Sequence, residues 1–294
     1  MTEASKLANE LFAKMFAAES LAAVPEETKS KALKSISSSY NEVTGTQFVI
    51  GGPVEGSGVF GAACVLKCKD SDVVKGMLSD SADVSLSMIK SLVGPQEPDV
   101  QGLSIAYVKG VETLDGMSVD TIDVTHPKIA EMSEGDRAEM QKAMGETVLR
   151  IRVAAIDKET VVVSFGGGQP FFAEAVRAAK SGGTIAQAPD VAAAMKHMPA
   201  DTMELILLSP GNLLDVVVKA ATVMAPEGSF PPLQFQSKAP IAIGYALGGS
   251  DMRVTVYIPT AVVKDAVGLA QMFMMGGMGP GGQPPPPMEG GEDF

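Results

Sequence analysis

The chain has 294 residues, of which 46% are hydrophobic and 20% charged, and its formal net charge is −12. An acidic chain lacks the clustered lysine and arginine that neutralise phosphates, which argues against a nucleic-acid binder and against a polybasic membrane-surface protein. The sequence has no run of about 18 uncharged apolar residues, so we expect no transmembrane segment. Two cysteines exclude a disulfide-stapled scaffold, and two histidines exclude most His-rich metal sites.

The first half of the chain is predicted to alternate helices with hairpin strands. Residues 1–22 lack a basic segment followed by an unbroken apolar core, so they predict an amphipathic helix and not a secretory signal. The predicted elements that follow are a helix from Pro25, strands at 47–51 and 59–68, a helix from about 71 to 93, strands at 103–109 and 117–124, and a helix at 128–144 with Ser133 and Asp136 as an internal capping pair.

The clearest hairpin joins residues 147–156 to residues 161–165. Arg150 and Arg152 alternate with apolar residues, which predicts a sheet with one solvent-exposed face and one buried face. The later elements are a helix opened by Pro170 and closed by Gly182-Gly183, a short helix at 190–197, a strand at 203–208, a helix from Pro210, a hairpin of 239–247 with 252–258, and a helix at 260–275.

The order strand, strand, helix recurs four times, at 46–93, 103–144, 147–181 and 239–275. Repetition of one unit suggests duplication, and hairpins backed by returning helices give an antiparallel architecture. We therefore predict an α+β fold of two related lobes, built from repeated β-β-α units with the helices packed on one face. The predicted ranges are 1–125 for the first lobe, 126–275 for the second, and 276–294 for a disordered Gly/Pro/Met-rich tail.

The two ends of the sequence carry further expectations. The late repeat has a strand at 203–208 before its first helix, whereas the chain starts before any equivalent strand in the early repeat. This difference suggests that Met1 begins a fragment or processed form of a longer protein. In the tail, Pro284 and Pro287 form a PxxP pattern without a basic neighbour. This favours a tail with no recognition role over a recognition motif.

Cysteine and histidine are the first side chains to consider for chemistry. Cys64 and Cys68 share a strand face about 13 Å apart, at roughly 3.3 Å per residue, so they cannot form a disulfide and are expected to pack as small hydrophobes. His126 precedes a proline and His197 ends a helix. A Ser/His/Asp triad could be written from the many serines and aspartates, but the sequence has no G-x-S-x-G elbow, so we assign neither histidine a catalytic role.

Three other patterns resemble functional sites, and each of them also fits a structural role. Gly166, Gly167 and Gly168 lie between a strand and a helix, but Phe171 stands where a dinucleotide fingerprint needs glycine, so we expect a tight connection. Asp120 and Asp123 face opposite sides of a strand near Asp115, which predicts a solvated strand and no acid–base pair. The methionine cluster consists of Met272, Met274, Met275 and Met278, which could bind Cu(I) but also fits core filling and a tail.

The second half of the chain resembles a bacterial family. The stretches VVVSFGGGQPFFAEAVRAAKSG, HMPADTMELILLSPGNLLDVVV and APIAIGYALGGSDMRVTVYIP, within residues 161–275, are similar to secreted or membrane-anchored α+β repeat proteins of planctomycete-type bacteria. These proteins also tend to end in Met/Gly/Pro-rich tails. The resemblance implies export to the periplasm or cell envelope, with a signal peptide upstream of this chain; a cytoplasmic location is the alternative.

These observations lead to a ranked set of functional hypotheses. The first is a non-enzymatic, envelope-associated interaction or structural module with an unknown protein partner. The second is a small-molecule binder or hydrolase with a site in the cleft between the lobes. The third is Cu(I) handling through the methionine cluster. We predict no catalytic, cofactor-binding or metal-binding residue and no cofactor.

Overall fold

The computed structural model describes residues 3–51, 56–94, 97, 100, 102–182, 188–202, 204–224, 235–248 and 251–276. The chain forms two compact units. The first unit is Met1–Gly183 with Val216–Ser229, and the second is Thr184–Asp215 with Phe230–Phe294. The predicted tail lies outside the described residues beyond Gly276, and the PxxP pattern lies there too.

The first unit follows the predicted order of helices and strands closely. Its helices are α1 (Glu3–Phe16), α2 (Glu26–Glu42), α3 (Ser71–Val93), α4 (Pro127–Ala130), α5 (Glu134–Met144) and α6 (Gly168–Lys180), with a 3-10 turn at Glu19–Leu21. Its strands are β1 (Val43–Gly51), β2 (Gly61–Cys68), β3 (Ser104–Leu114), β4 (Met117–Thr125), β5 (Leu149–Asp157) and β6 (Thr160–Gly166).

Local capping explains where two of these helices begin. The Asp70 side chain accepts a hydrogen bond from the Asp72 amide and starts α3 at the predicted place. Ser133 and Asp136 form the predicted capping box. That box begins a new helix, so residues 127–144 form the two helices α4 and α5 instead of the single helix expected from the sequence.

The six strands form one antiparallel sheet in the order β1-β2-β6-β5-β4-β3. The antiparallel α+β fold class is therefore confirmed. The expected lobe boundary at 125/126 falls between β4 and β5, and these strands pair directly, with Asp123 opposite Arg150 and Ile122 opposite Ile151. The sheet is thus continuous across the position at which the sequence suggested a division.

Both faces of the six-stranded sheet are covered by a helix. Val74 of α3 packs with Val153 and Val161, whereas Phe172 of α6 packs with Ala154 and other buried residues. Val153 and Ala154 are consecutive, and consecutive strand residues point to opposite faces. Helices α3 and α6 therefore lie on opposite faces of this sheet, which differs from the expected packing on one face.

The second unit contains a smaller antiparallel sheet in the order β7-β8-β9. The later elements are α7 (Pro189–Met195), β7 (Glu204–Leu208), α8 (Pro210–Met224), β8 (Ile241–Gly248), β9 (Asp251–Tyr257) and α9 (Thr260–Gly276). The part of α8 from Val216 onward belongs to the first unit. Ala242 and Ala246 of β8 are buried, as are Val191 and Ala194 of α7. No helix within the described ranges has the length and apolar character needed to cross a bilayer.

Candidate functional site

The α6 face of the large sheet carries five charged side chains that the fold brings together. These residues, which we call the arginine cluster, are Glu112 of β3, Asp123 of β4, Glu146, and Arg150 and Arg152 of β5. The sequence predicted a solvent-exposed face for the two arginines, but only 7% of the Arg152 side chain is exposed. The prediction was wrong because alternation along one strand does not reveal which acidic residues stand on the neighbouring strands.

Each arginine of this cluster binds two carboxylates. Arg150 grips Asp123 through Nε–Oδ1 and Nη2–Oδ2 contacts of 2.7 and 2.9 Å, and its Nη1 lies 3.1 Å from Glu112 Oε1. Arg152 Nε lies 2.8 Å from Glu112 Oε2, and its Nη2 lies 2.9 Å from Glu146 Oε2. Paired guanidinium–carboxylate contacts of this kind fix geometry well, so the cluster ties β3, β4 and β5 together.

The acidity of these groups follows from the pairing. Hydrogen bonding to Arg150 is the largest influence on Asp123 and lowers the pKa of that carboxyl. Burial alone would raise the pKa of Glu112, but hydrogen bonds from Arg152 and Arg150 outweigh burial and leave it lowered. Asp123 and Glu112 therefore stay ionised near neutral pH and do not exchange protons there.

A second charged group lies on the α3 face of the same sheet. Asp120 is 2% exposed, and its Oδ2 lies 2.7 Å from Lys75 Nζ. The Tyr107 hydroxyl donates to the same carboxylate at 2.6 Å, and the Gly110 amide donates to Oδ1 at 2.9 Å. The expectation of a solvated strand at Asp120 is therefore wrong, although Asp120 and Asp123 do face opposite sides.

The contacts of Asp120 set the protonation states of this group. Burial would raise the pKa of Asp120, but hydrogen bonds from Lys75, Tyr107 and the Gly110 amide outweigh it and lower the pKa. Burial, followed by the hydrogen bond to Asp120, raises the pKa of Tyr107. Tyr107 therefore remains a neutral donor to the charged Asp120, and the ion pair of this group is the one between Asp120 and Lys75.

An apolar cleft opens in the first unit between α2, α3 and the start of β1. We call it the α2–α3 cleft, and its volume is about 460 Å³. Its apolar wall consists of Val43, Leu66, Val74, Met77 and Leu78. Its remaining lining residues are Ser39, Tyr40, Thr44, Gly45, Thr46 and Ser81. The cleft therefore combines an apolar wall with five hydroxyl groups.

Strand β1 forms one edge of the large sheet and is unusually exposed. Phe48, Val49 and Ile50 are 63%, 44% and 60% exposed. Among the described strands β1 pairs only with β2, so the backbone groups along its outer side are not used by the sheet. Because these three residues are consecutive, apolar side chains are exposed on both faces of this edge.

The small sheet of the second unit also exposes apolar side chains. Ile206 lies opposite Ile243, which in turn lies opposite Val256, so these residues share a face. The members of this face that are more than two-fifths exposed are Ile206, Leu208, Met252, Val254 and Val256. The predicted alternation of the last hairpin is present, and its apolar side faces solvent in the structure.

The predicted cysteine and histidine positions hold no convergent site. Cys64 and Cys68 are free thiols, as expected, and burial is the main cause that raises the pKa of each. His126 caps α4, with its Nδ1 accepting from the Lys128 amide at 3.0 Å. His197 stacks on Tyr257 with ring centroids 4.0 Å apart. His126 therefore has a capping role, and His197 packs against the end of β9.

The three consecutive glycines let the backbone around Gly145 pass close to the start of α6, which leaves little room for a ligand there. Gly166, Gly167 and Gly168 all have positive φ, and a Cβ on Gly168 would lie 2.7 Å from the Gly145 carbonyl oxygen. The backbone of Gly145 thus occupies the space in front of the α6 N-terminus. This geometry agrees with the expected tight connection between a strand and a helix.

The methionine cluster cannot be placed in the same way. The side chains of Met272, Met274 and Met275 and the whole of Met278 lie outside the described residues, so Cu(I) binding there stays a prediction. Elsewhere, the described part of the chain has no group of three or more His, Cys, Asp or Glu residues arranged to hold a metal ion.

Fold and site together define an antiparallel α+β chain whose two interior charged groups are held in ion pairs and whose apolar edge and cleft remain open. Comparison with protein-family models, with curated proteins and with solved structures finds no match to this chain. The resemblance to planctomycete-type repeat proteins and the duplication therefore stay predictions.

Proposed function

We propose that this chain is a non-enzymatic interaction module that binds a partner protein by strand addition along β1. The partner supplies an extended segment in which apolar and polar residues alternate, and this segment lies within a positively charged surface. The observation that carries this proposal is the exposed β1 edge, with three consecutive apolar residues and an outer row of backbone donors and acceptors.

The two edges of the large sheet differ in how they are protected. Strand β3, at the other edge, carries Lys109 and Glu112, and its pairing with β4 is interrupted by a bulge between Val108 and Glu112. Charges and bulges are devices that prevent edge-to-edge pairing. Strand β1 has no charged residue and no proline along Val43–Gly51. The pairing of β1 with β2 is itself irregular between Val43 and Gly45, at the start of the strand, and is regular from there to Gly51. The charged β3 edge is therefore less suited to strand addition than the uncharged β1 edge.

The charge of the chain selects among the possible occupants of β1. A second copy would bring another net charge of −12 to the interface, and like charges oppose association. A positively charged partner is attracted by the same field. We therefore assign β1 to a basic partner, and self-association is an alternative outcome of the experiment below.

The charged groups support binding over acid–base catalysis. Glu112, Asp120 and Asp123 have lowered pKa values and are held in ion pairs. Tyr107 is held as a neutral hydroxyl. Groups that stay in one protonation state near pH 7 are poor general acids or bases. The cell envelope remains the proposed compartment on the family resemblance alone.

Binding of a synthetic peptide tests the proposal directly. The probe is a peptide of alternating valine and threonine with lysine at each end, and its length is that of β1, 9 residues. Ile50→Lys places a charge on the β1 edge, and Val108→Lys places the same charge on the β3 edge. We expect Ile50→Lys to weaken peptide binding by about tenfold or more and Val108→Lys to leave it unchanged.

Hydrogen exchange supplies the second measurement. Peptide binding is expected to slow amide exchange in Val43–Gly51 and to leave Ser104–Leu114 unaffected. Equal effects of the two lysine variants, or protection confined to β3, would contradict the proposal. Dimerisation without peptide, measured by sedimentation and abolished by Ile50→Lys, would replace the basic partner with a second copy.

A further inference from the structure

We propose that the α2–α3 cleft binds an uncharged small amphiphile, with an apolar tail against the wall of the cleft and a hydroxyl head among the serine and threonine side chains. The cleft shares the start of β1, residues 43–46, with the proposed function, but it does not include the exposed Phe48, Val49 and Ile50. It also lies within the first unit, whereas the sequence suggested a cleft between lobes.

The size and composition of the cleft suit such a ligand. A volume of about 460 Å³ lies within the range of small-molecule sites, about 300–1,000 Å³. Leu66 and Leu78 in its wall pack against the buried cluster around Val74, so the wall is part of the core of the unit. A ligand tail placed there would remove apolar surface from water, which is favourable.

The hydroxyl groups define the head of the ligand. The Ser39 hydroxyl donates to the Ser35 carbonyl at 3.0 Å, so the Ser39 oxygen keeps its acceptor capacity. Ser81 Oγ lies 3.1 Å from Ser35 Oγ, which ties α3 to α2 at the rim of the cleft. A ligand hydroxyl, which both donates and accepts, matches such a rim.

The absence of charge in the lining disfavours ionic heads. All lining residues of the cleft belong to the described part of the chain, and none of them is Asp, Glu, Lys, Arg or His. Moving an ionised carboxylate or ammonium from water into a site without a counter-charge is costly, whereas a hydroxyl loses little when it finds partners. The cleft therefore discriminates against fatty acids and cationic detergents of the same length.

Matched probes test this preference without any mutation. The uncharged fluorophore N-phenyl-1-naphthylamine is bound first and then displaced by 1-decanol, decanoate or decyltrimethylammonium at about pH 8. We expect saturable fluorophore binding and displacement by 1-decanol at a concentration about tenfold or more below that of either ionic compound. Absence of saturable binding, or equal displacement by the three compounds, would overturn the proposal.

Two tryptophan variants locate the site, because the natural chain contains no tryptophan. Met77→Trp fills the cleft, whereas Val73→Trp places the same ring on an exposed position of α3 outside it. We expect Met77→Trp to weaken 1-decanol binding by about tenfold or more and Val73→Trp to leave it unchanged. Equal losses in the two variants would contradict the location.

The Ile50→Lys variant separates this proposal from the proposed function. Ile50 does not line the cleft, so this variant is expected to lose peptide binding while 1-decanol binding stays unchanged. Retained decanol binding with no peptide binding in the natural chain would refute strand addition alone. Peptide binding without decanol binding would refute the cleft site alone.

Discussion

Asp120 shows how strongly a single residue depends on neighbours that are distant in sequence. Its carboxylate is held by Lys75, Tyr107 and the Gly110 amide, and the side chain is 2% exposed. An acidic residue in a strand normally indicates a solvated position. Here a charge in the interior is tolerated because all its main contacts are donors.

Replacing Asp120 with asparagine is expected to destabilise the fold strongly. Asp120→Asn leaves the Lys75 ammonium, 21% exposed, without its counter-charge, so we expect the free energy of unfolding at pH 7 to fall by about 3 kcal/mol. Urea denaturation measures this change. The control is Asp115→Asn, which makes the same chemical change at an exposed turn residue and is expected to alter stability by less than about 0.5 kcal/mol. Equal effects at the two positions would contradict the assigned role of Asp120.

At the scale of elements, the glycines mark where three backbone segments cross. A Cβ on Gly145 would lie 2.7 Å from both the Gly167 carbonyl carbon and the Gly58 nitrogen. The Val59 and Phe60 amides donate to the carbonyls of Lys142 and Ala143 at 3.2 and 3.0 Å, so the end of α5 is joined to the start of β2. The crossing holds α5, β2 and the start of α6 in one arrangement.

A methyl group at this crossing is expected to separate the segments. Gly145→Ala places a side chain at φ +78° and against backbone atoms, so we expect a loss of about 2–4 kcal/mol in the free energy of unfolding. The matched change Gly76→Ala lies within α3, where an added Cβ meets nothing within 4 Å, and is expected to stabilise by about 0.5–1 kcal/mol. Thermal unfolding compares the two variants, and a harmless Gly145→Ala would refute the close crossing.

Local signals predicted the elements better than they predicted the surroundings of each residue. The start of α3 near residue 71 and the pairing of Ser133 with Asp136 were predicted correctly because a cap acts within three residues, but the sequence placed that pair inside one helix and not at the start of α5. Arg150 was misread because its partner Glu112 lies 38 positions away and meets it only through the pairing of three strands. The β1 edge and the α2–α3 cleft were missed for the same reason, since both depend on what packs beside them.

At the scale of the whole molecule, strand order was the information missing from the sequence. The sequence indicated hairpins and returning helices, and these were confirmed. The insertion of β6 between β2 and β5 joins the early hairpin to the later ones, and this non-local pairing makes one six-stranded sheet across the expected boundary. Hydrophobic periodicity contains no signal for such pairing, because it reports which face is buried and not which strand is adjacent.

The acid sensitivity of the whole chain follows from its paired carboxylates. Glu112, Asp120 and Asp123 all have pKa values lowered by folding. Their contribution to stability is therefore complete above the ordinary carboxyl pKa, about 4, and is lost as pH falls through the lower pKa values of the folded state. We expect urea midpoints to be nearly constant between about pH 8 and 6 and to fall steeply below about pH 4.5.

The Asp120→Asn variant shows how much of this acid response depends on Asp120. Asparagine does not titrate, so the stability difference between the natural chain and the variant is expected to be largest near pH 7 and to shrink as acid protonates Asp120. Urea titrations of both proteins at matched ionic strength measure the difference at each pH and keep charge screening constant. A difference that stays constant down to about pH 3 would mean that the Asp120 carboxylate is not held by Lys75 and Tyr107 in solution.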